Sequence, residues 1–173
     1  KNSDIDKYIS SETPTKKLIY VNISYDKVDT VLYNHLLKFK PILENRLLTY
    51  NESYHWTTLH RGREEKIFVG EKLVVPYRSK TNMFSYNNVE WFCRSDVYVI
   101  TKKDKSNISL HYLLAILNSK LYLLWLCFKG KRKGDILELF KTPLEEIPIK
   151  EISTDDQKEF IKIVEKIVEL KKV

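Results

Sequence analysis

The run from Leu110 to Phe128 restricts the fold of this chain more than any other feature. It is the most apolar stretch and approaches the length of a membrane span, but His111, Asn118, Ser119 and Lys120 interrupt it where a lipid-facing segment tolerates polar groups poorly. Leu110, Leu113, Leu114, Leu117, Leu121 and Leu124 recur at helical intervals and form one stripe, which a helix must bury. The run therefore reads as the core helix of a globular protein, with no membrane partner and with Ser109 or Asn107 as N-cap. A chain of 173 residues with 43% apolar content can bury one good core and has the usual size of one domain.

Other elements can be placed around that helix. Residues 1–17 are polar and aperiodic and hold Pro14, as in an approach segment from an upstream element; a short strand is expected over Lys17–Ile23. Val28, Val31, Leu32, Leu36, Phe39, Ile42 and Leu43 form a helical stripe from about Asp26 to Arg46, which Pro41 should kink or restart. From Trp56 to Thr101 the pattern changes to short β-rich runs: Ile67–Val69, Leu73–Tyr77, Met83–Tyr86 and Trp91–Ile100, with Asp96–Ile100 the clearest. After the core helix come a basic loop, Lys129–Gly134, a strand over Ile136–Phe140 and a turn-rich stretch, Thr142–Pro148. Thr154 and Gln157 match a capping box, and Phe160, Ile161, Val164, Ile167, Val168 and Val173 stripe a final helix. Strand runs flanked by helices predict an α+β fold: a helix-flanked, mostly antiparallel β-region with a long core helix and a C-terminal amphipathic helix. The expected organisation is an approach segment (1–25), a recognition domain (26–150) and a terminal helix (151–173) packing on the domain or on a partner.

Groups that could do chemistry do not converge. Cys93 and Cys127 lack a second Cys or a His at zinc-site spacing, so ordinary reduced thiols and no metal are expected. No secretory leader pattern opens the chain, consistent with a cytoplasmic protein. Gly62, Gly70, Gly130 and Gly134 form neither phosphate-binding glycine motif. The five prolines each stand alone, which excludes the Asn/Asp-Pro-Pro-Tyr/Phe motif with which amino-methyltransferases hold an extruded base. Glu64-Glu65-Lys66 is half of a metal-dependent nuclease motif without its upstream Asp. His55 and His60 flank Trp56 with no metal-binding partner at useful spacing; surface or DNA-contacting roles fit them better. The chain by itself is expected not to be an enzyme.

Charge is distributed more informatively. Thirty Lys and Arg against 23 Asp and Glu give a net charge of +7. Nine basic residues (Lys38, Lys40, Arg46, Arg61, Arg63, Lys66, Lys72, Arg78 and Lys80) face five acidic ones between Lys38 and Lys80, and Lys129–Lys133 adds four basic residues with no acid. The final helix is balanced, so the excess sits where loops and strands are expected. Arginine forks beside aromatics suit base edges, and ammonium groups suit phosphate. Any one of these residues, taken singly, is better read as a solvated surface charge than as a DNA contact. As groups, His60-Arg61-Gly62-Arg63 and Pro76-Tyr77-Arg78-Ser79-Lys80 point to DNA, and Gly62 would let the backbone approach a ligand closely.

The ordered features Leu37–Arg46, Trp56 with Leu59–Arg63, Phe68 and Glu71–Pro76, Phe84-Ser85-Tyr86, Asp96–Ile100, Tyr112–Lys120 and Ile147-Pro148-Ile149 together resemble the TaqI-like C-terminal specificity domain of type IIG restriction–modification enzymes. The resemblance covers about Leu36 to Ile149. It implies sequence-specific contact with double-stranded DNA, while an upstream methyltransferase domain of the same polypeptide flips an adenine and methylates its N6 from S-adenosylmethionine, leaving no cofactor in this chain. DNA contacts are then expected from Lys38, Lys40, Arg46, His60, Arg61, Arg63, Arg78 and Lys80, with Lys131, Arg132 and Lys133 on phosphate. The end of the chain also looks like a repeat boundary in type I specificity subunits. Two other readings stay open: a protein-interaction domain in a phage-defence assembly, and a small nuclease using Glu64 and Lys66.

Overall fold

A computed structural model describes residues 2–13, 16–22 and 28–172. The chain forms two compact units, one made of residues 1–16 and 66–173, the other of residues 17–65.

In the larger unit a four-stranded sheet runs in the order β1 (Tyr8–Ile9), β4 (Ser85–Asn87), β2 (Lys72–Pro76), β5 (Val97–Ile100). β2 is antiparallel to both β4 and β5, whereas β1 lies parallel to β4. Tyr8–Ile9, within the first 17 residues, thus supply an edge strand. Lys171 and Lys172 reach back to Asp6 (2.6 Å) and Glu12 (2.5 Å), surface pairs worth at most about 1 kcal/mol each. A second, antiparallel sheet has the order β3 (Arg78–Ser79), β7 (Ile136–Glu138), β6 (Lys131–Lys133). The fold class is α+β, as expected.

The long core helix is instead two helices, α3 (Leu110–Leu117) and α4 (Lys120–Lys129), bent by 71°. Asn118 caps the first and Ser119 the second, both residue types that favour caps over helix interiors. Asn82 supplies the partners the break requires, its Nδ2 donating to Leu117 O (2.6 Å) and Ser119 O (2.8 Å). Asn118 completes the joint: its Oδ1 accepts from Phe84 N (3.1 Å) and its Nδ2 donates to Phe84 O (2.8 Å). Leu110, Leu114, Leu117, Tyr122 and Leu126 enter the core with Leu73, Val75, Phe84, Leu137 and Leu139. No single helix among the described residues is long and apolar enough to cross a membrane.

Ser109 is the cap of α3, its Oγ accepting from His111 N (3.1 Å). A short helix, α5 (Lys141–Glu145), occupies part of the expected turn-rich stretch, and α6 (Thr154–Lys172) closes the unit through Val164 and Val168. Its cap differs from the expected one. Ser153 Oγ accepts from Asp156 N (3.1 Å), which frees Gln157 to bridge to α3 from a buried position. There Gln157 Oε1 accepts from Ser109 N (2.8 Å) and Nε2 donates to Asn107 O (3.1 Å).

The smaller unit holds α1 (Thr30–Leu37), capped by Asp29, and α2 (Lys40–Tyr50), with Pro41 in its first turn. Pro41 restarts the helix. The expected stripe is only partly covered: Leu32, Leu36 and Leu43 are half-buried, while Val31 and Ile42 are 80% and 71% exposed. Asp26, the expected helix start, lies outside the described residues, as do Pro14, Ile23 and Val173. Residues 17–22 form no strand, and Ile67–Val69, expected as a strand, falls largely in a 3-10 turn, Glu65–Phe68. Glu64 and Lys66, the residues of the nuclease alternative, therefore lie on no strand: Glu64 precedes the turn and Lys66 lies in it.

Candidate nucleic-acid interface

The smaller unit is organised around a polar clasp. Glu52 accepts a hydrogen bond from His60 and lies 3.6 Å from Arg46 Nε, while Arg46 Nη2 donates to Thr58 O (2.9 Å). His60 also stacks on Tyr50, with centroids 4.4 Å apart. Lys40 lies 5.8 Å from the centroid of buried Trp56 and 3.6 Å from Glu44. Of the residues expected to meet DNA here, Arg46 and His60 are thus engaged within the fold, whereas Lys38 and Arg61 are exposed and Arg63 is half-buried. Arg61 is held at φ 52°, a left-handed conformation that disfavours side chains and concentrates at functional positions. At Gly62 a Cβ would lie 2.5 Å from Asn22 Oδ1. That close approach lets Tyr20 and Asn22 donate hydrogen bonds to Arg63 O.

Desolvation pushes the Glu52 carboxyl upward, but hydrogen bonds from Tyr54 and His60 and the charges of His60 and Arg46 outweigh it, holding the group below its ordinary range. A depressed carboxyl stabilises the fold above its unfolded-state value, about 4.3 for glutamate, and loses that contribution as pH falls through the folded-state value. Hydrogen-exchange protection at Thr58 and Leu59, corrected for intrinsic exchange, is expected to fall as pH drops from 6 toward 3 (on the order of the carboxylate range). Glu52→Gln should flatten that profile; an identical profile in the variant would exclude Glu52 as its source.

In the larger unit the expected basic loop is a strand. Gly134, at φ 60°, and Asp135 turn the chain so that Lys131, Arg132 and Lys133 pair with Glu138, Leu137 and Ile136. All three basic side chains are exposed on an outer strand. Across β7, Arg78 Nε and Nη2 donate to Glu138 Oε1 at 2.9 and 2.7 Å. Lys80 follows on the exposed turn after β3. Lys72, counted among the basic residues, is buried: its ammonium donates to Gly70 O (2.8 Å) and Val89 O (2.6 Å), and burial holds its pKa below the ordinary lysine value.

The pattern of the TaqI-like C-terminal specificity domain matches residues 21–149. The chain belongs to this family. The specificity domain is also 30% identical over 164 residues to the type II methyltransferase M.HindII of Haemophilus influenzae, covering 88% of this chain and 31% of that protein. It is 31% identical over 143 residues to the type II methyltransferase M.MjaIV of Methanocaldococcus jannaschii, covering 78% of this chain and 46% of that protein. The specificity domain thus spans less than half the length of these relatives.

Among the described residues of the specificity domain, no group of three or more His, Cys, Asp or Glu is placed to hold a metal ion. Two features escaped the sequence reading. Glu138 is buried beneath Arg78, which strand pairing alone reveals. Lys102, Lys103 and Lys105 are exposed just beyond β5, and their spacing was a legible signal.

Proposed function

We propose that this chain is the double-stranded-DNA reading module of a restriction–modification methyltransferase. It binds the target sequence, while a catalytic domain of the same polypeptide, upstream of it, carries S-adenosylmethionine and methylates adenine N6 in the cytoplasm. The observation that carries this reading is the exposed Lys131-Arg132-Lys133 edge of an antiparallel ribbon in a member of a specificity-domain family. β6 is the outer strand of the three-stranded β3–β7–β6 sheet, and a row of exposed cations along such an edge complements phosphate. Lys38, Lys40, Arg61 and Arg63 supply further positive charge in the smaller unit, where Arg46 and His60 hold the loop that carries Arg61, and Arg78 and Lys80 supply it in the larger unit. The sequence lacks the base-holding motif, which supports assigning the chemistry to the rest of the protein.

A second reading, a protein-docking domain, is favoured by α4, where Leu121, Leu124 and Phe128 are 70%, 55% and 81% exposed on one stripe. Selection from a pool of random duplex DNA at moderate salt separates the two. Enrichment of a short motif is the expected result. Retention without enrichment would reduce the role to phosphate affinity, and no retention would favour protein docking.

A further inference from the structure

Arg78, Glu138 and Lys131 lie in one row across the second sheet, because Glu138 on β7 pairs directly with Arg78 on β3 and with Lys131 on β6. Directly opposed residues share a face, so both cations flank one carboxylate. Arg78 takes the hydrogen bonds, and the pair is asymmetric: the Glu138 side chain is 5% exposed and that of Arg78 54%. The carboxylate is anchored inside while the outer edge of the guanidinium faces solvent. Aromatic rings hold the cations as well. Arg78 lies 5.2 Å from the Tyr77 centroid and Lys131 5.7 Å from that of Phe140, and the two rings meet edge to face at 5.1 Å.

An arginine tied through Nε and Nη2 and resting on a ring has given up much of its rotamer freedom before any partner arrives, so little ordering cost remains for binding. It keeps the Nη1 donors and one Nη2 hydrogen on its outer edge. That edge is a planar fork matching the adjacent O6 and N7 acceptors of guanine. We propose that Glu138 is a positioning residue that holds Arg78 ready to read one guanine in the major groove, with Lys131 on a flanking phosphate. This rests on the duplex-DNA reading above.

The same selection, run with the wild-type chain, Arg78→Lys and Glu138→Gln, tests it, with thermal melts alongside. Lysine retains the charge and a partner for Glu138 but has no fork. Arg78→Lys, whose ammonium can still reach one guanine acceptor but lacks the planar fork, is expected to weaken preference for guanine at one position, by at most the about 5- to 150-fold that a bidentate pair supplies, while leaving the salt dependence of binding unchanged. Glu138→Gln should weaken preference at that same position. A purely structural ion pair would instead lower the melting temperature and weaken binding to all sequences alike, overturning the proposal, as would a wild-type motif that Arg78→Lys leaves intact. If the wild-type chain enriches no motif, the sequence-reading function itself fails and this assignment with it.

Discussion

Replacing Lys131, Arg132 and Lys133 together by alanine is expected to reduce the slope of log affinity against log salt by about 2.7 and to weaken duplex binding roughly 500-fold at about 0.1 M salt. Each phosphate neutralised by a cation releases condensed counterions and contributes about 0.9 to that slope, and three contacts at that rate give the stated loss. The three side chains are exposed on an outer strand, so the variant keeps its core. Lys131 alone rests against a ring, that of Phe140, and its loss there costs about 1 kcal/mol at most. Fluorescence anisotropy with a labelled duplex between roughly 0.05 and 0.4 M salt measures both quantities. An unchanged slope would remove this strand from the interface, whatever happened to the affinity.

The largest expected effect on stability comes from Leu114→Ala. Leu114 is fully buried on α3 and belongs to the cluster shared by β2, β4, the α3–α4 joint and α6. Truncation costs the transfer free energy of the removed carbons and leaves a cavity, together about 2–5 kcal/mol. A value in the upper half is expected, because the elements around the cavity resist collapse. The joint is pinned to Phe84 by Asn118, and α6 is pinned to the start of α3 by Gln157. Denaturant unfolding followed at amides of β2 and α6 reports on this unit separately from residues 17–65, and the midpoint should fall with the slope unchanged. A loss below about 1 kcal/mol would mean that the site closes around the alanine.

The local signals in the chain were read correctly where one segment carried them whole. β-rich runs placed β2 and, at the end of Trp91–Ile100, β5; the leucine stripe placed the helical run after Ser109, although its Leu121 and Leu124 are exposed; and Pro41 marked the restart between α1 and α2. The basic strand was not legible, since Lys131-Arg132-Lys133 has no β-preference and becomes a strand only by pairing with Ile136–Glu138. Nor was the break in the core helix, because the apolar stripe continues through it. Cap-forming residues at 118 and 119 end a helix only when distant groups accept the change, and here Asn82 and Phe84 do so.

The candidate interface divides in the same way. Sequence alone determined the excess of positive charge, the absence of catalytic motifs and the family, all properties of residue identity and order. Tertiary structure decided which cations are available: Lys72 is buried against two carbonyls, Arg46 and His60 are bound to Glu52, and Arg78 is half committed to Glu138. Lys38, Arg61, Lys80 and the β6 row are left exposed. A charge is fixed by its side chain, but its availability depends on which carboxylates and carbonyls the fold brings within hydrogen-bonding reach, and those lie as far along the chain as Glu138 does from Arg78.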